Sequence, residues 1–159
     1  MVGVQTLTDD QLAVWKQLQW ATALIMTRFR RDLAASRLSL EEFDVLVHLA
    51  WATAGSLALH ELTGSMVVTG GLSRSGITRL LDRMERDGLV RRTVSTHDRR
   101  RFDVSLTSQG RKRFEQAWPS HAEGIGRYFV APLTSRDVGE LGKILTRLIQ
   151  ANEDQPVPR

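Results

Sequence analysis

Apolar residues recur along this chain with two different periods. Leu12, Trp15, Leu18, Ile25, Phe29 and Leu33 return at close to 3.6 positions, which predicts a helix over about residues 9–35. Trp20 and Leu24 fall off that stripe, so the helix is expected to meet more than one neighbour. A second helix, about 40–53, buries Phe43, Leu46, Val47 and Ala50 and ends at Ala54-Gly55-Ser56. A third, short helix is read over about 57–67 despite Gly64. After Gly70-Gly71, Ser73 caps a fourth helix over 74–87, with Ile77, Leu80, Leu81 and Met84 on its core stripe and Gly88 stopping it.

There the period changes to two. Residues 89–94 read as a short strand, and Phe102, Val104 and Leu106 alternate with Asp103 and Ser105 in a second one. Residues 95–101 turn between them. Thr107 caps a further helix whose apolar side holds Phe114 and Trp118, with an interruption expected at Pro119 and loosening at Gly124 and Gly126. Pro132 precedes the last helix, about 135–151, which lines up Val138, Leu141, Ile144, Leu145 and Leu148. Residues 152–159 are polar and proline-bearing, and are expected to form a disordered tail.

Helix starts are marked by side chains that can hold the free N–H groups of the first turn. Thr8 with Gln11, Ser39 with Glu42 and Thr134 with Asp137 have capping-box spacing. Leu7/Leu12, Leu38/Phe43 and Leu133/Val138 flank them as hydrophobic staples. The stretch TGSMVVTGG between Leu62 and Leu72 predicts a long glycine-rich turn ahead of Ser73. The fold class expected is mainly α with a small β-hairpin wing.

Charge sharpens this picture. Twelve Arg and Lys against five acids give residues 74–113 a charge of +7, whereas the whole chain carries +4. A basic patch on an otherwise slightly acidic protein is the footprint of a polyanion binder. The 159 residues suffice for one domain with a real core, or for a small domain with dimerisation arms. Cysteine is absent, which excludes disulfides, thiolate metal sites and thiol redox sensing within this chain. MVGVQTLTDDQ lacks a basic run before an apolar one, so no signal peptide is expected, and no apolar stretch approaches membrane-span length. The expectation is a cytoplasmic protein.

A helix that enters the major groove presents its N-terminal residues to base edges. Here these are Ser73, Arg74, Ser75, Gly76, Thr78 and Arg79, with Arg83 one turn further on, none of them on the apolar stripe. Arginine bonds guanine bidentately, Ser and Thr bond bases or phosphates, and Gly76 leaves room for close backbone approach. The turn adds Asp98, Arg99, Arg100 and Arg101. Guanidinium groups on a hairpin tip suit a narrow minor groove, and a carboxylate among them suits orienting one. The plain alternative is a solvated basic face with an incidental ion pair.

DGLVRR followed by DRRRFDVSLTSQG resembles the signature of the MarR (multiple antibiotic resistance regulator) family of winged-helix transcription factors. The matching positions are Gly88 ending the recognition helix, Asp98 and Arg100 at the wing tip, and Leu106, Thr107 and Gly110 opening the next helix. Leu72 to Gly88 is similar to the family's recognition helix. The resemblance implies a winged helix-turn-helix lobe over 39–110, flanked by dimerisation helices over 1–38 and 111–151. It implies a homodimer whose two lobes straddle a pseudo-palindromic DNA operator, with Arg100 in the minor groove and Asp98 orienting it. It implies a ligand-responsive regulator, most simply a repressor, and a small aromatic or anionic effector.

Trp15, Trp20, His48, Trp51 and Tyr128 are the candidates to line an effector pocket, the plain alternative being core or interface aromatics. The four histidines are too dispersed for a local zinc motif, although Asp44 and His48 lie one turn apart. No metal and no cofactor is expected. GLSRSG superficially suggests a nucleophile elbow, but its second glycine is misplaced and no flanking sheet is written, so no enzyme activity is expected. The rival function is a winged-helix protein-interaction scaffold that meets an acidic partner without selecting a DNA sequence.

Overall fold

A computed structural model describes residues 6–95, 98 and 100–153. The chain forms two compact units, Met1–His121 and Ala122–Arg159. In the first, α1 (Asp9–Leu33) leads through a 3-10 turn (Ala34–Ser36) to α2 (Leu40–Ala50). Arg37, left-handed at φ 53, turns the chain between them. Then follow β1 (Ser56–Ala58), α3 (Leu59–Gly70), α4 (Arg74–Arg86), β2 (Val90–Val94), β3 (Phe102–Leu106) and the start of α5 (Ser108–Ile125). The division between the units falls within α5, after His121. The second unit continues from α5 through a π-helical turn (Gly126–Val130) to α6 (Ser135–Glu153).

The caps form as their spacing predicts. Thr8 Oγ1 accepts from Gln11 N at 3.2 Å while Gln11 Oε1 accepts from Thr8 N at 3.0 Å. Ser39 and Glu42 exchange the same pair at 3.1 and 2.9 Å. Asp137 accepts from both the N–H and the hydroxyl of Thr134, which holds its carboxyl below the usual carboxylate range.

Side chains from three helices and the wing build the core of the first unit. Phe43, Val45, Leu46 and Leu49 of α2, Leu62 and Met66 of α3, Ile77, Leu81 and Met84 of α4 and Val104 of β3 are all fully enclosed. The stripe read on α4 is therefore the face the structure buries, whereas on α2 Phe43 and Leu46 are buried as expected, Val47 and Ala50 are only half-buried, and Val45 and Leu49 take core places instead. Phe114 and Ala117 add the α5 side, and the His121 ring lies 4.5 Å from Phe29 and 4.6 Å from Phe43.

Several sequence expectations change. The wing is a three-stranded antiparallel sheet in the order β1-β3-β2, not a bare hairpin, because Ser56–Ala58 pairs with Ser105–Asp103 of β3. A three-residue strand is too short to show alternation, and only its partner makes it one. With β1 occupying Ser56–Ala58, α2 stops at Ala50 and α3 begins two residues late. The glycine-rich turn is mostly helix: α3 runs to Gly70, and only Gly71 (φ 61), Leu72 and the cap Ser73 separate it from α4. Gly64 faces open space, so the helix passes through it at the ordinary glycine cost of about 1 kcal/mol.

Pro119 does not interrupt α5 either. The proline is exposed, so the carbonyl it frees one turn earlier is available to water, while Trp118 and His121 pack on either side of it. α6 ends at Glu153, two residues beyond the expected limit, and residues 154–159 lie outside the described residues.

The junction of α4, β2 and α5 is close-packed. Gly88 (φ 70) ends α4, and Leu89 N donates back to Met84 O at 2.8 Å. Thr107 Oγ1 donates to Gly88 O at 2.5 Å and accepts from Gly110 N at 2.9 Å, and Thr107 N donates to Leu89 O at 3.1 Å. A Cβ on Gly110 would stand 1.9 Å from Leu89 O, far inside contact. Gly110→Ala is therefore expected to destabilise the fold by about 3 kcal/mol or more. Gly126→Ala, whose Cβ would meet nothing within 4 Å, serves as the control, and urea unfolding of both variants reads the difference.

Candidate nucleic-acid interface

The recognition helix α4 is sharply two-sided. Ile77, Leu80, Leu81 and Met84 face the core, and Arg74, Ser75, Thr78, Arg79 and Arg83 are exposed on the other side. Ser73 starts the helix by accepting from Gly76 N at 3.1 Å, with Ser75 Oγ also 3.1 Å away. Ser73 thus caps α4 as its position in the sequence predicts. Gly76 is crowded by that cap, since a Cβ there would meet Ser73 Oγ at 3.3 Å.

The other polar side chains on this face divide into anchored and free. Thr78 Oγ1 donates to Arg74 O at 3.1 Å, and Arg79 Nε donates to Ser75 O at 3.3 Å, which lays the Arg79 guanidinium along the helix. Arg83 Nε donates to Glu42 Oε1 at 3.1 Å. The same Glu42 carboxylate caps α2 through its other oxygen, so Arg83 ties the recognition helix to α2 and is less available than a free arginine. The guanidinium of Arg74 makes no hydrogen bond or ion pair among the described residues.

The wing brings a second set. Asp98 does not hold the Arg100 side chain, as the family signature implied. It accepts from Arg100 N at 2.9 Å and pairs with Arg101 Nε at 3.3 Å. Arg101 N and Ser95 N close the turn on Asp98 O and Arg101 O, each at 2.9 Å. Asp98 therefore shapes the turn and restrains Arg101, and the Arg100 guanidinium has no hydrogen bond or ion pair among the described residues. Arg99 lies outside the described residues, as do Thr96 and His97.

Recognition helix and wing face a common groove of about 510 Å³, lined by Leu59, His60 and Thr63 of α3, Arg74 of α4, and Arg100, Arg101 and Phe102 of the wing. Three of the expected arginines thus converge on one surface from two elements. His60 and Thr63 join them without having been singled out in the sequence. Their only prior signal is a place on the helix before the recognition helix.

The expected effector residues are not gathered in the same way. Trp15 and Trp20 are 53% and 68% exposed on different faces of α1. Trp51, at the end of α2, meets Trp118 edge-on at 5.1 Å. His48, one turn earlier, has a buried Nε2 with no partner among the described residues, and burial lowers its pKa. Tyr128 belongs to the second unit, where Arg127 lies 6.0 Å over its ring.

Asp44, one turn before His48, is pushed up to about 6 from 3.8 by burial, with Glu41 adding to the shift and Arg30 opposing it. A carboxyl raised in the folded state contributes stability below its unfolded pKa and loses it as the pH rises through the folded one. Asp44→Asn is accordingly expected to gain stability on the parent as the pH goes from 4 to 7, with no further gain above. Urea midpoints of both chains across that range read the trend, and a flat difference would contradict it.

Comparison with known proteins places this arrangement. Residues 38–101 match the model of the MarR family. The HTH-type transcriptional repressor MdtR of Bacillus subtilis is 34% identical over 99 residues, which cover 62% of this chain and 61% of MdtR. The chain therefore spans about three fifths of that curated relative's length. The crystal structure of AbsC, a MarR family transcriptional regulator from Streptomyces coelicolor, superposes with a TM-score of 0.86 at 25% identity, over 96% of this chain and all of AbsC. That of Sco3205, a MarR family transcriptional regulator from the same organism in complex with DNA, gives 0.82 at 25% identity, over 98% of this chain and 94% of the other.

Proposed function

We propose that the chain is a member of the MarR family, to whose model residues 38–101 match, and that it is a dimeric, sequence-specific DNA-binding transcriptional regulator, a ligand-responsive repressor of a pseudo-palindromic operator. The observation that carries the proposal is the shared groove, in which Arg74 from the recognition helix meets Arg100 and Arg101 from the wing. A helix in the major groove and a hairpin tip in the adjacent minor groove would follow one DNA strand through that groove. Arg74, Ser75, Thr78 and Arg79 stand where base edges and phosphates would be met, with Gly76 permitting close approach. Arg100 is the minor-groove arginine of this reading, and Arg99 and Arg101 add charge around it. The scaffold alternative draws no support from the relatives.

Self-association follows from surface chemistry. Leu12, Trp15, Leu18, Trp20 and Leu24 are exposed on α1, and Val138, Ile144, Leu148 and Ile149 are exposed on α6. Apolar surface of that extent in contact with water calls for a cover. A second copy supplies it and gives two recognition helices for two half-sites about one helical turn apart. A reader of chromosomal DNA of this kind works in the cytoplasm and needs no catalytic group. The effector we propose is a small aromatic or anionic molecule met by Trp51 and His48, with Trp15, Trp20 and Tyr128 as further candidates. It would act by favouring a lobe spacing that misfits the operator.

Footprinting on the DNA upstream of the protein's own gene tests the reading. Protection of two half-sites about 10 base pairs apart is expected, with binding that weakens steeply as salt rises. Arg100→Ala should lose affinity mainly at A·T-rich flanks, and Arg74→Ala should relax specificity at single base pairs by about 1–3 kcal/mol. Absence of salt-sensitive binding to any duplex would refute the function.

A further inference from the structure

β2 carries one arginine that the DNA reading does not use. Strand alternation puts Val90, Arg92 and Val94 on one face of the wing sheet and Arg91 and Thr93 on the other. Val90 is buried, and Arg92 stands opposite the fully enclosed Val104 of β3. Arg92 thus points to the core side of the sheet, where a guanidinium without partners would be costly. It finds them on the outer edge of α4. Nη1 donates to Asp82 Oδ1 at 2.5 Å and lies 3.5 Å from Glu85 Oε2, and Nη2 reaches Thr78 O at 3.5 Å. Its backbone N–H donates to Glu85 Oε1 at 2.8 Å.

The side chain is only 19% exposed, and its Nε is buried. It is not placed to meet DNA. It spans instead from the middle of the wing to three successive turns of the recognition helix, at Thr78, Asp82 and Glu85. No other charged side chain among the described residues joins β2 to α4 in this way. Two elements that must enter neighbouring grooves of one duplex need a set separation, and a bridge anchored at three points on one of them supplies it.

We propose that Arg92, held by Asp82 and Glu85, is a positioning residue that fixes the wing relative to the recognition helix, so that both engage an operator as one rigid reader. The proposal rests on the DNA-binding reading above. It makes a prediction opposite in sign to simple electrostatics. Removing the two carboxylates makes the DNA-facing lobe more positive, which by itself would tighten binding. If they hold the clamp, their removal weakens binding instead.

The test compares the parent with Arg92→Gln, Arg92→Lys and the double variant Asp82→Asn/Glu85→Gln on a duplex of the DNA upstream of the protein's own gene, over a range of salt. Thermal melting confirms folding. The double variant alters only partly exposed side chains, and so keeps the question open to test if Arg92→Gln fails to fold. Arg92→Gln and the double variant are expected to lose roughly three- to thirtyfold in affinity, the range for residues that act without touching the ligand. The slope against salt should stay at the parent's value, protection should fall at the minor-groove flanks, and Arg92→Lys should recover part of the loss. A slope lowered by about one in Arg92→Gln would show a direct phosphate contact, and tighter or unchanged binding by the double variant would show no clamp; either overturns the proposal. A parent that binds no duplex refutes the DNA reading itself, and the clamp with it.

Discussion

The close approach of α5 to the carbonyl of Leu89 is the constraint on which the reading surface depends. Only a residue without a Cβ can sit at position 110, because the Leu89 oxygen occupies the place a Cβ would take. Thr107 completes the joint by bonding Gly88 O on one side and Gly110 N on the other. Three elements meet there: the end of the recognition helix, the start of the wing and the first turn of the helix that leaves the lobe. Their mutual angles follow from a few backbone atoms that cannot be moved apart without losing hydrogen bonds. The leucine-threonine and glycine pattern at 106, 107 and 110 is thus a packing requirement, whatever the lobe binds.

On that joint the arginines of the basic segment have separate roles. Arg83 is drawn toward Glu42 and the core of the lobe, Arg92 toward Asp82 and Glu85, and Arg101 toward Asp98. Arg113 Nη2 donates to Arg37 O at 3.2 Å, which uses it to fasten α5 to the left-handed turn after α1. Among the described residues the guanidinium groups of Arg74 and Arg100 make no such bonds, and both residues line the same groove. A net charge of +7 over residues 74–113 therefore overstates the cationic surface offered to a polyanion, since several of those charges hold the lobe together.

Much of the lobe is legible without coordinates. Ser39 and Glu42, Ser73 and Thr107 announce helix starts through local hydrogen bonds that need only a few neighbouring residues. The stripe Ile77, Leu80, Leu81, Met84 shows which side of α4 is buried, and hence which side can face DNA. What escapes is local sequence whose meaning comes from afar. Ser56–Ala58 becomes a strand only against β3, Gly64 and Gly70 remain helical because α3 packs against α2 and α4, and α5 runs through Pro119 with packed residues on either side. His60 and Thr63 reach the site only because α3 brings them beside Arg74.

By itself, the sequence determined the winged-helix class, the helix caps and the buried face of α4, because periodicity and capping act over at most a few turns. Tertiary structure alone decided the partner of each charge. Asp98 serves Arg101 and the Arg100 backbone because the turn closes that way, and Arg92 bridges to α4 because the sheet and the helix lie side by side. Ion pairs between residues ten or forty positions apart depend on where whole elements are laid down, and no local pattern encodes that. The division of the arginines into holders of the fold and candidates for DNA is therefore a property of the folded lobe.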